Sequence, residues 1–215
     1  TEGTTDAEMI HKRAEVRFIR ALNYYHMLDM FGSVPFTATI ATNNPEQIDR
    51  ESLYNWLIDE IDGGHTGKVY KNRKTGEALA TYTPTGDADH GFLQDLYDKD
   101  ATTIYRVTKP AAYMLLARLY LNAEVYVGKA EWAKAEEAAG KVIESYPTMH
   151  PVYAEVFMGD NDKVAREEMV FLAACDGVLI RSYAGSQYTI CSTRNTKMNG
   201  CGSSNNSWGC WRKSP

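Results

Sequence analysis

The residue types that could do chemistry in this chain include four cysteines near its C-terminal end. They are Cys175, Cys191, Cys201 and Cys210, separated by 16, 10 and 9 residues. No pair forms a C-x-x-C motif, so the spacing argues against a zinc ribbon or a thioredoxin-type redox site. The cluster fits one or two disulfides in an oxidising compartment, and it fits free buried thiols about equally well.

Two acidic segments open in the manner of calcium-binding loops. They are Asp87–Gly91 and Asp160–Asp162. An EF-hand needs Gly at its sixth position and Glu at its twelfth, and neither segment has them. A calcium ion held by Asp162 together with ligands from elsewhere is one interpretation, and a solvated turn is the other.

Catalytic motifs are absent from the sequence. It contains no G-x-S-x-G, Walker loop, dinucleotide-binding glycine pattern or H-E-x-x-H. Its five histidines are scattered, and none pairs with a carboxylate at metal-ligand spacing. We therefore expect a protein that is not an enzyme.

Two aromatic residues in the C-terminal part are candidates for ligand contact. Trp208 lies in a stretch rich in Ser, Asn, Gly and Thr that starts at Asn195, where a tryptophan is poorly placed to be core. Tyr183 follows Asp176-Gly177, a hairpin signal because both central positions of a type I′ turn need positive φ. Aromatic rings among amide side chains suit an uncharged polar ligand with apolar faces, such as a sugar. For Tyr183, a strand residue packed in the core is an equally good interpretation.

Helical periodicity predicts a first pair of helices. The first helix begins at the capping box Thr5–Glu8 and ends at Gly32, and the second runs from near Asp49 to Ile61. The apolar stripe of the first helix consists of Ile10, Ala14, Phe18, Ala21, Tyr25 and Leu28. Its basic residues lie mainly off that stripe, which indicates a solvated face; they are His11, Lys12, Arg13, Arg17 and Arg20.

A second pair of helices is predicted further along the chain. One helix runs from Pro110 to Gly128, because Pro suits the first helical position and Gly the end. Its apolar face comprises Ala112, Leu115, Leu116, Leu119, Tyr120 and Ala123. The next helix stops before Pro147, and its face is marked by Trp132, Ala135, Ala139, Val142 and Ile143. This spacing is typical of the second helix of a tetratricopeptide repeat.

The predicted layout is a mainly α chain with long irregular loops and one small hairpin. The helical pairs occupy about residues 5–62 and 110–146, and a loop with a hairpin occupies about residues 66–105. In that hairpin Lys68–Asn72 and Glu77–Tyr82 flank a turn that contains glycine. The remaining region, about residues 168–215, would carry a ligand-binding hairpin and loop.

Composition excludes two classes of protein. Lys and Arg number 23 against 28 Asp and Glu, which gives a net charge of −5, opposite to what binding to nucleic-acid phosphates requires. The longest apolar runs, such as Met169–Cys175, are far shorter than the 18 or so residues of a membrane-spanning helix. We therefore expect neither a nucleic-acid-binding protein nor a membrane span in this chain.

Two motifs resemble those of the SusD/RagB family of glycan-binding lipoproteins. The first runs from Arg13 to Leu22 and continues through Tyr24-Tyr25 to Phe31–Phe36. The second is Arg106–Lys109, followed by Ala112 and the apolar run Leu115–Leu121. The resemblance covers nearly the whole chain and is strongest to the starch-binding member of the family.

That resemblance implies a fold, a location and a function. It implies a single, partial domain of tetratricopeptide-like α-α superhelix, residues 1–215, from a longer protein that is lipid-anchored at the cell surface in the outer membrane. It also implies that Tyr183 and Trp208 belong to an aromatic arc that cradles an α-glucan, and that Asp162 is a calcium ligand. The expected function is capture of starch or maltooligosaccharide for import through a SusC-like TonB-dependent transporter.

Two other functions fit the same sequence. One keeps the family and changes the ligand to another polysaccharide. The other is a tetratricopeptide-type scaffold that binds peptides through the first helix and Pro110–Ser145, with no role for Trp208.

Overall fold

The computed structural model of the chain describes residues 7–38, 44–80, 90–100, 102–103, 105–158 and 160–172, and of Asp162 the backbone only. Tyr183, Trp208, the four cysteines and the Asp176-Gly177 turn lie outside the described residues. The predicted capping residues Thr5 and Asp6 do so as well.

Two helices form the first pair. Helix α1 spans Ala7–Phe31 and helix α2 spans Arg50–Asp62. The Asp49 carboxylate caps α2 by accepting a hydrogen bond of 2.9 Å from the backbone N–H of Ser52. Gly63, at φ 103°, ends the helix in a backbone conformation that other residues rarely adopt. The predicted bounds of α2 and the predicted end of α1 are confirmed.

The second pair departs from the prediction at one point. Helix α3 spans Lys109–Leu121, α4 spans Ala123–Val127 and α5 spans Trp132–Ser145, so the predicted single helix is broken at Asn122. There ψ is 10°, well away from the helical value near −42°. The Asn122 side chain donates to the Arg118 carbonyl at 3.0 Å, and this local bond competes with the continuing helix.

Two short strands and a narrow hairpin connect the helical parts. Strand β1, Val34–Pro35, pairs antiparallel with β2, Gln47–Ile48. The predicted hairpin is present as a bridge between Lys71 and Ala78, with the Leu79 N–H donating to the Tyr70 carbonyl at 2.9 Å. Its predicted continuation to Tyr82 lies outside the described residues.

One apolar core joins α1, α2 and α3. Its largest fully buried side chains are Trp56, Phe36, Phe92, Leu28, Ile48, Leu53, Leu57, Ile61, Leu96 and Leu119. The predicted stripe of α1 is buried from Ala14 to Leu28, whereas Ile10 is 38% exposed. Tyr25 is buried and Tyr120 packs half-buried against the core, which confirms the helix packing assigned to both.

The buried face of α5 was only partly predicted. It consists of Ala135, Ala138 and Val142, which pack toward α3. Trp132 and Ile143 were expected on this face, and they are 62% and 64% exposed. Small residues allow close approach of two helices, so the contact surface follows the alanines and leaves the larger side chains outside.

Short helical turns follow α5 and lead to the end of the described chain. They are the 3₁₀ turn Tyr153–Phe157, helix α6 at Asn161–Val164 and the 3₁₀ turn Arg166–Glu168. An earlier 3₁₀ turn, Phe92–Asp95, precedes α3. Across the described ranges, none of the helices combines the length and the apolar character needed to cross a bilayer.

Candidate functional site

The two motifs recognised in the sequence contact each other through an ion pair. The Glu15 carboxylate of α1 accepts hydrogen bonds from Arg106 Nε and Nη2, each at 2.7 Å. It also accepts a bond of 3.0 Å from the backbone N–H of Val107. Bidentate pairing of this kind fixes orientation as well as distance. The segment that precedes α3 is therefore fastened to the middle of α1.

A second set of residues from the first motif surrounds a buried carboxylate. Glu60 of α2 accepts hydrogen bonds from Arg17 Nε at 2.9 Å and from Arg20 Nη2 at 2.5 Å. His65 Nε2 lies 3.2 Å from the other carboxylate oxygen. The expectation that Arg17 and Arg20 belong to a solvated face is wrong, because Glu60 supplies a buried counter-charge that the helical pattern of α1 does not show.

Burial and pairing act in opposite directions on Glu60. Burial by itself would raise the pKa of the Glu60 carboxyl. Hydrogen bonds from His65 and Arg17, together with the charges of Arg17 and Arg20, outweigh burial and lower the pKa to about 2. The carboxylate is thus held in its charged form as a structural group.

The hairpin residues extend this polar network. Tyr70 donates to an Asp59 carboxylate oxygen at 2.8 Å, and Lys68 donates to the other at 2.6 Å. The Tyr70 hydroxyl also lies 2.6 Å from His65 Nδ1. Since these groups bind one another, the network fastens the hairpin to α2 and offers little to an external ligand.

A cleft of about 330 Å³ lies where the segment preceding α3 meets the turns that follow α5. Its described lining mixes charged, hydroxyl, aromatic and apolar side chains: Lys99, Asp100, Thr103, Arg106, Thr108, Tyr146, Arg166, Glu167, Met169 and Val170. Small-molecule sites commonly have volumes of about 300–1,000 Å³, so the cleft is large enough for one small ligand. We refer to it below as the α3 cleft.

An aromatic ring and an ammonium group form one wall of the α3 cleft. Lys99 Nζ lies 3.6 Å from the centroid of the Tyr146 ring and donates to the Ser145 carbonyl at 2.8 Å. The Tyr146 hydroxyl donates to the Met169 carbonyl at 3.1 Å. Burial lowers the pKa of Lys99 and raises that of Tyr146. Through its hydrogen bond to Met169, Tyr146 connects the end of α5 to the chain segment that contributes Met169 and Val170 to the cleft lining.

His150 holds a second side of the α3 cleft in place. Its Nδ1 lies 2.6 Å from Glu167 Oε1, its Nε2 lies 2.6 Å from Glu155 Oε2, and its backbone N–H donates to Glu168. Hydrogen bonds to Glu167 and Glu155 raise the pKa of His150. In its protonated form the imidazole bridges two carboxylates from two different turns, which orients the cleft residue Glu167.

The described residues offer no ready-made metal site. No three His, Cys, Asp or Glu side chains within the described ranges come together in a way that could hold a metal ion. Asp162, the expected calcium ligand, lies in α6, and its side chain is outside the described residues. The calcium site at Asp162 therefore stays a prediction.

The site residues expected from the sequence lie outside the part of the chain that the structure describes: Tyr183 and Trp208 entirely, and Asp162 by its side chain. Their roles stay predictions. The α3 cleft could not be predicted from the sequence, because its lining residues are up to about seventy positions apart along the chain. Its one sequence signal is Arg106–Lys109, which stood out as a motif without a chemical role.

The described chain also carries exposed aromatic side chains. Tyr153 and Phe157 are 78% and 70% exposed, and their rings meet edge to face with centroids 5.1 Å apart. Trp132 on α5 is exposed as well. The sequence did not indicate these residues as ligand contacts. They can therefore serve as controls for Tyr183 and Trp208, which it did indicate.

Comparison with known proteins gives one close match at the level of sequence. No family model matches the chain. The chain is 37% identical over 212 residues to the starch-binding protein SusD of Bacteroides thetaiotaomicron. The match covers 98% of this chain and 33% of that protein, so the chain spans about a third of the length of this relative.

Several solved structures match the chain at the level of fold, among them the following two. A SusD-like protein from Bacteroides fragilis superposes with a TM-score of 0.60 at 16% identity, over 95% of this chain and 34% of that one. The surface glycan-binding protein A of Bacteroides uniformis superposes with a TM-score of 0.54 at 20% identity, over 78% of this chain and 32% of that one. The predicted mainly helical, tetratricopeptide-like fold is confirmed.

Proposed function

Since this chain is SusD-like along nearly its whole length, we propose that it forms part of a surface protein that binds glycans rather than transforming them. The observation that carries the proposal is the 37% identity over 98% of the chain to a protein named for starch binding. The proposed ligand is starch or maltooligosaccharide.

In the described part of the chain, the charged residues of the first motif hold helices together rather than contact a ligand. The charged residues of the first motif are occupied within the protein: Glu15 binds Arg106, and Arg17 and Arg20 bind Glu60. Glu15, Arg17 and Arg20 are therefore poor candidates for catalysis or for direct recognition of a ligand. This favours a ligand surface built by other residues on a rigid helical frame.

We assign the glycan contacts to Tyr183 and Trp208. An aromatic ring can lie against the C–H face of a pyranose while neighbouring amide groups bond its hydroxyls. Each such stack contributes on the order of 1 kcal/mol, by analogy with aromatic pairs. Several weak stacks on one surface favour a polymer over a monosaccharide, because the second contact is made within the same complex.

The proposal extends to location and partners. A lipid-anchored protein at the outer-membrane surface would concentrate glycan beside a SusC-like TonB-dependent transporter, which would import it. A calcium ion bound by Asp162 and by ligands elsewhere would be a structural cofactor of the proposed protein. A pull-down with the wild-type protein from outer-membrane extract tests this partner. The SusC-like transporter should be retained, and its absence would contradict the assignment.

Affinity gels containing amylopectin test the glycan assignment, with isothermal titration calorimetry against maltoheptaose as the second measurement. Trp208→Ala is expected to lose retention on the gels, and the matched variant Trp132→Ala is expected to keep it, since Trp132 is an exposed tryptophan on α5. If the wild-type protein binds neither amylopectin nor maltoheptaose, starch is the wrong ligand.

A glycan array separates the proposed ligand from the alternatives. Binding to another polysaccharide that is lost in Trp208→Ala would keep the site and change the glycan. Peptide binding that survives Trp208→Ala, with no glycan bound, would favour the helical scaffold function instead. Release of reducing sugar from starch would contradict the proposal that the protein is not an enzyme.

A further inference from the structure

We propose that the α3 cleft is a binding site for a monosaccharide-sized ligand that carries a carboxylate, a ligand different from the proposed starch. Three observations carry this proposal: an unpartnered buried hydroxyl at Thr108, a lysine without a described carboxylate partner at Lys99, and a cleft volume of about 330 Å³.

Thr108 offers the first unused group of the cleft. Its residue is 3% exposed, and among the described residues its hydroxyl has no hydrogen-bond partner. The residue occupies the N-cap position of α3, where a threonine side chain usually binds a backbone N–H, and here it forms no such bond. A buried hydroxyl without a partner is costly to a protein, and a ligand group in the cleft would satisfy it.

Lys99 offers the second unused group. Its ammonium group donates to the Ser145 carbonyl and faces the Tyr146 ring, and it forms no ion pair with any described carboxylate. An ammonium group carries three N–H donors, so at least one is left over. Its partial removal from water outweighs the attraction of the Glu167 charge and lowers the pKa of Lys99, which favours an additional anionic partner.

The carboxylates around the cleft are already engaged. Asp100 accepts hydrogen bonds from the backbone N–H groups of Thr102 and Thr103, Glu167 is bound by His150, and Glu15 is bound by Arg106. The N-terminal end of α3 adds a partial positive charge beside Thr108. Lys99 and the N-terminal end of α3 are therefore the groups that would pair with a ligand carboxylate.

The remaining lining indicates what the carboxylate is attached to. Met169 and Val170 contribute apolar side chains to the lining, and Thr103 and Arg106 contribute polar groups. Arg106 uses Nε and Nη2 for Glu15, so its Nη1 is available for a hydroxyl of the ligand. One sugar ring bearing a carboxylate, that is a uronic acid, matches this combination in size and polarity.

Isothermal titration calorimetry of the full chain with glucuronate, glucose and acetate tests the proposal. Glucuronate is expected to bind at least about tenfold more tightly than either glucose or acetate, because only glucuronate supplies both the carboxylate and the ring. Binding of glucose as tight as that of glucuronate, or no detectable binding of glucuronate, would overturn it.

Two substitutions locate the site. Lys99→Met and Thr108→Val are each expected to weaken glucuronate binding about tenfold by removing one charged or hydroxyl contact. Thr108→Ser keeps the hydroxyl and should restore most of the binding, which separates ligand contact from a change in folding. Lys141→Met removes a half-exposed lysine from α5 and should bind as the wild type does.

The carboxylate site in the α3 cleft and the proposed starch binding can each be overturned without affecting the other. Lys99→Met is expected to keep full retention on amylopectin gels, since Trp208 rather than Lys99 is the proposed starch contact. Loss of glucuronate binding in Lys141→Met to the same degree as in Lys99→Met would show that net charge, rather than the cleft, governs the interaction.

Discussion

Arg106, three residues before α3 begins, is held by the Glu15 carboxylate of α1 through two hydrogen bonds of 2.7 Å. These residues belong to the two separate motifs by which the chain resembles its relatives. The two motifs are therefore halves of one contact, which joins the first helical pair to the second.

Removing Glu15 is expected to destabilise the protein. Glu15→Ala deletes the acceptor of three hydrogen bonds, two of them from the Arg106 guanidinium, and leaves Arg106 without its counter-charge. We expect the free energy of unfolding to fall by about 1–3 kcal/mol. Urea unfolding followed by circular dichroism measures it. Glu8→Ala is the control, because the Glu8–Lys12 pair is exposed and should contribute little.

The pKa of about 2 at Glu60 predicts a loss of stability in acid. Because folding lowers this pKa from its usual value, the stabilisation is fully present above about pH 5 and is lost as the pH falls toward 2. Its size is about 3 kcal/mol, from the size of the pKa shift. Urea unfolding of the wild type at a series of pH values between 7 and 2 should show this decline.

Variants at two glutamates separate Glu60 from general acid effects. Glu60→Gln is expected to be less stable at pH 7 and to depend less on pH below 5, because the titrating group is gone. Glu136→Gln, at an exposed position of α5, should follow the wild-type profile. A Glu60→Gln profile as steep as that of the wild type would show that other carboxylates cause the acid loss.

His150 is expected to titrate above the usual range for histidine. Hydrogen bonds to Glu167 and Glu155 favour the protonated ring, so the stabilisation is present at low pH and disappears as the pH rises through the raised pKa of His150. Histidine ring proton shifts measured by NMR across this range give the midpoint directly. Glu167→Gln should lower that midpoint, and a midpoint unchanged by this substitution would contradict the contact.

Gly91 is expected to tolerate no side chain. A Cβ built on Gly91 would overlap the backbone of Ile61, Asp62 and Gly63, so the chain passes too close to the end of α2 for any larger residue. Gly91→Ala should reduce the free energy of unfolding by about 1–3 kcal/mol, as overpacking does. Gly140→Ala in α5 is the matched control. With no neighbour near its Cβ, it should increase stability by about 0.5–1 kcal/mol. Thermal unfolding compares the two.

Local sequence patterns predicted where the helices lie but not which residues their charged side chains bind. The stripe of α1 from Ala14 to Leu28 and the start of α2 near Asp49 depend on neighbours within a few positions, and both were predicted correctly. The burial of Arg17 depends on Glu60, 43 positions away, and no local pattern carries that information. Asn122 illustrates a local effect that was missed, because a side-chain bond to the preceding turn outweighed the helical periodicity.

Local sequence patterns also could not give the geometry of the candidate sites, for two different reasons. The α3 cleft combines Lys99 and Thr108 with Tyr146 and Met169, and a cavity depends on how separate segments meet in space. Tyr183 and Trp208 came from a family resemblance, which transfers positions without any geometry. Their roles stay predictions until the glycan experiments are done.

The spacing between Glu15 and Arg106 has a consequence for the newborn chain. A ribosome adds about 5–20 residues per second, so Arg106 leaves the ribosome about 5–18 seconds after Glu15, since 91 positions separate them. Glu60, 43 positions after Arg17, arrives in about half that time. During synthesis α1 and α2 can therefore pair first, while Glu15 of α1 still lacks its partner Arg106.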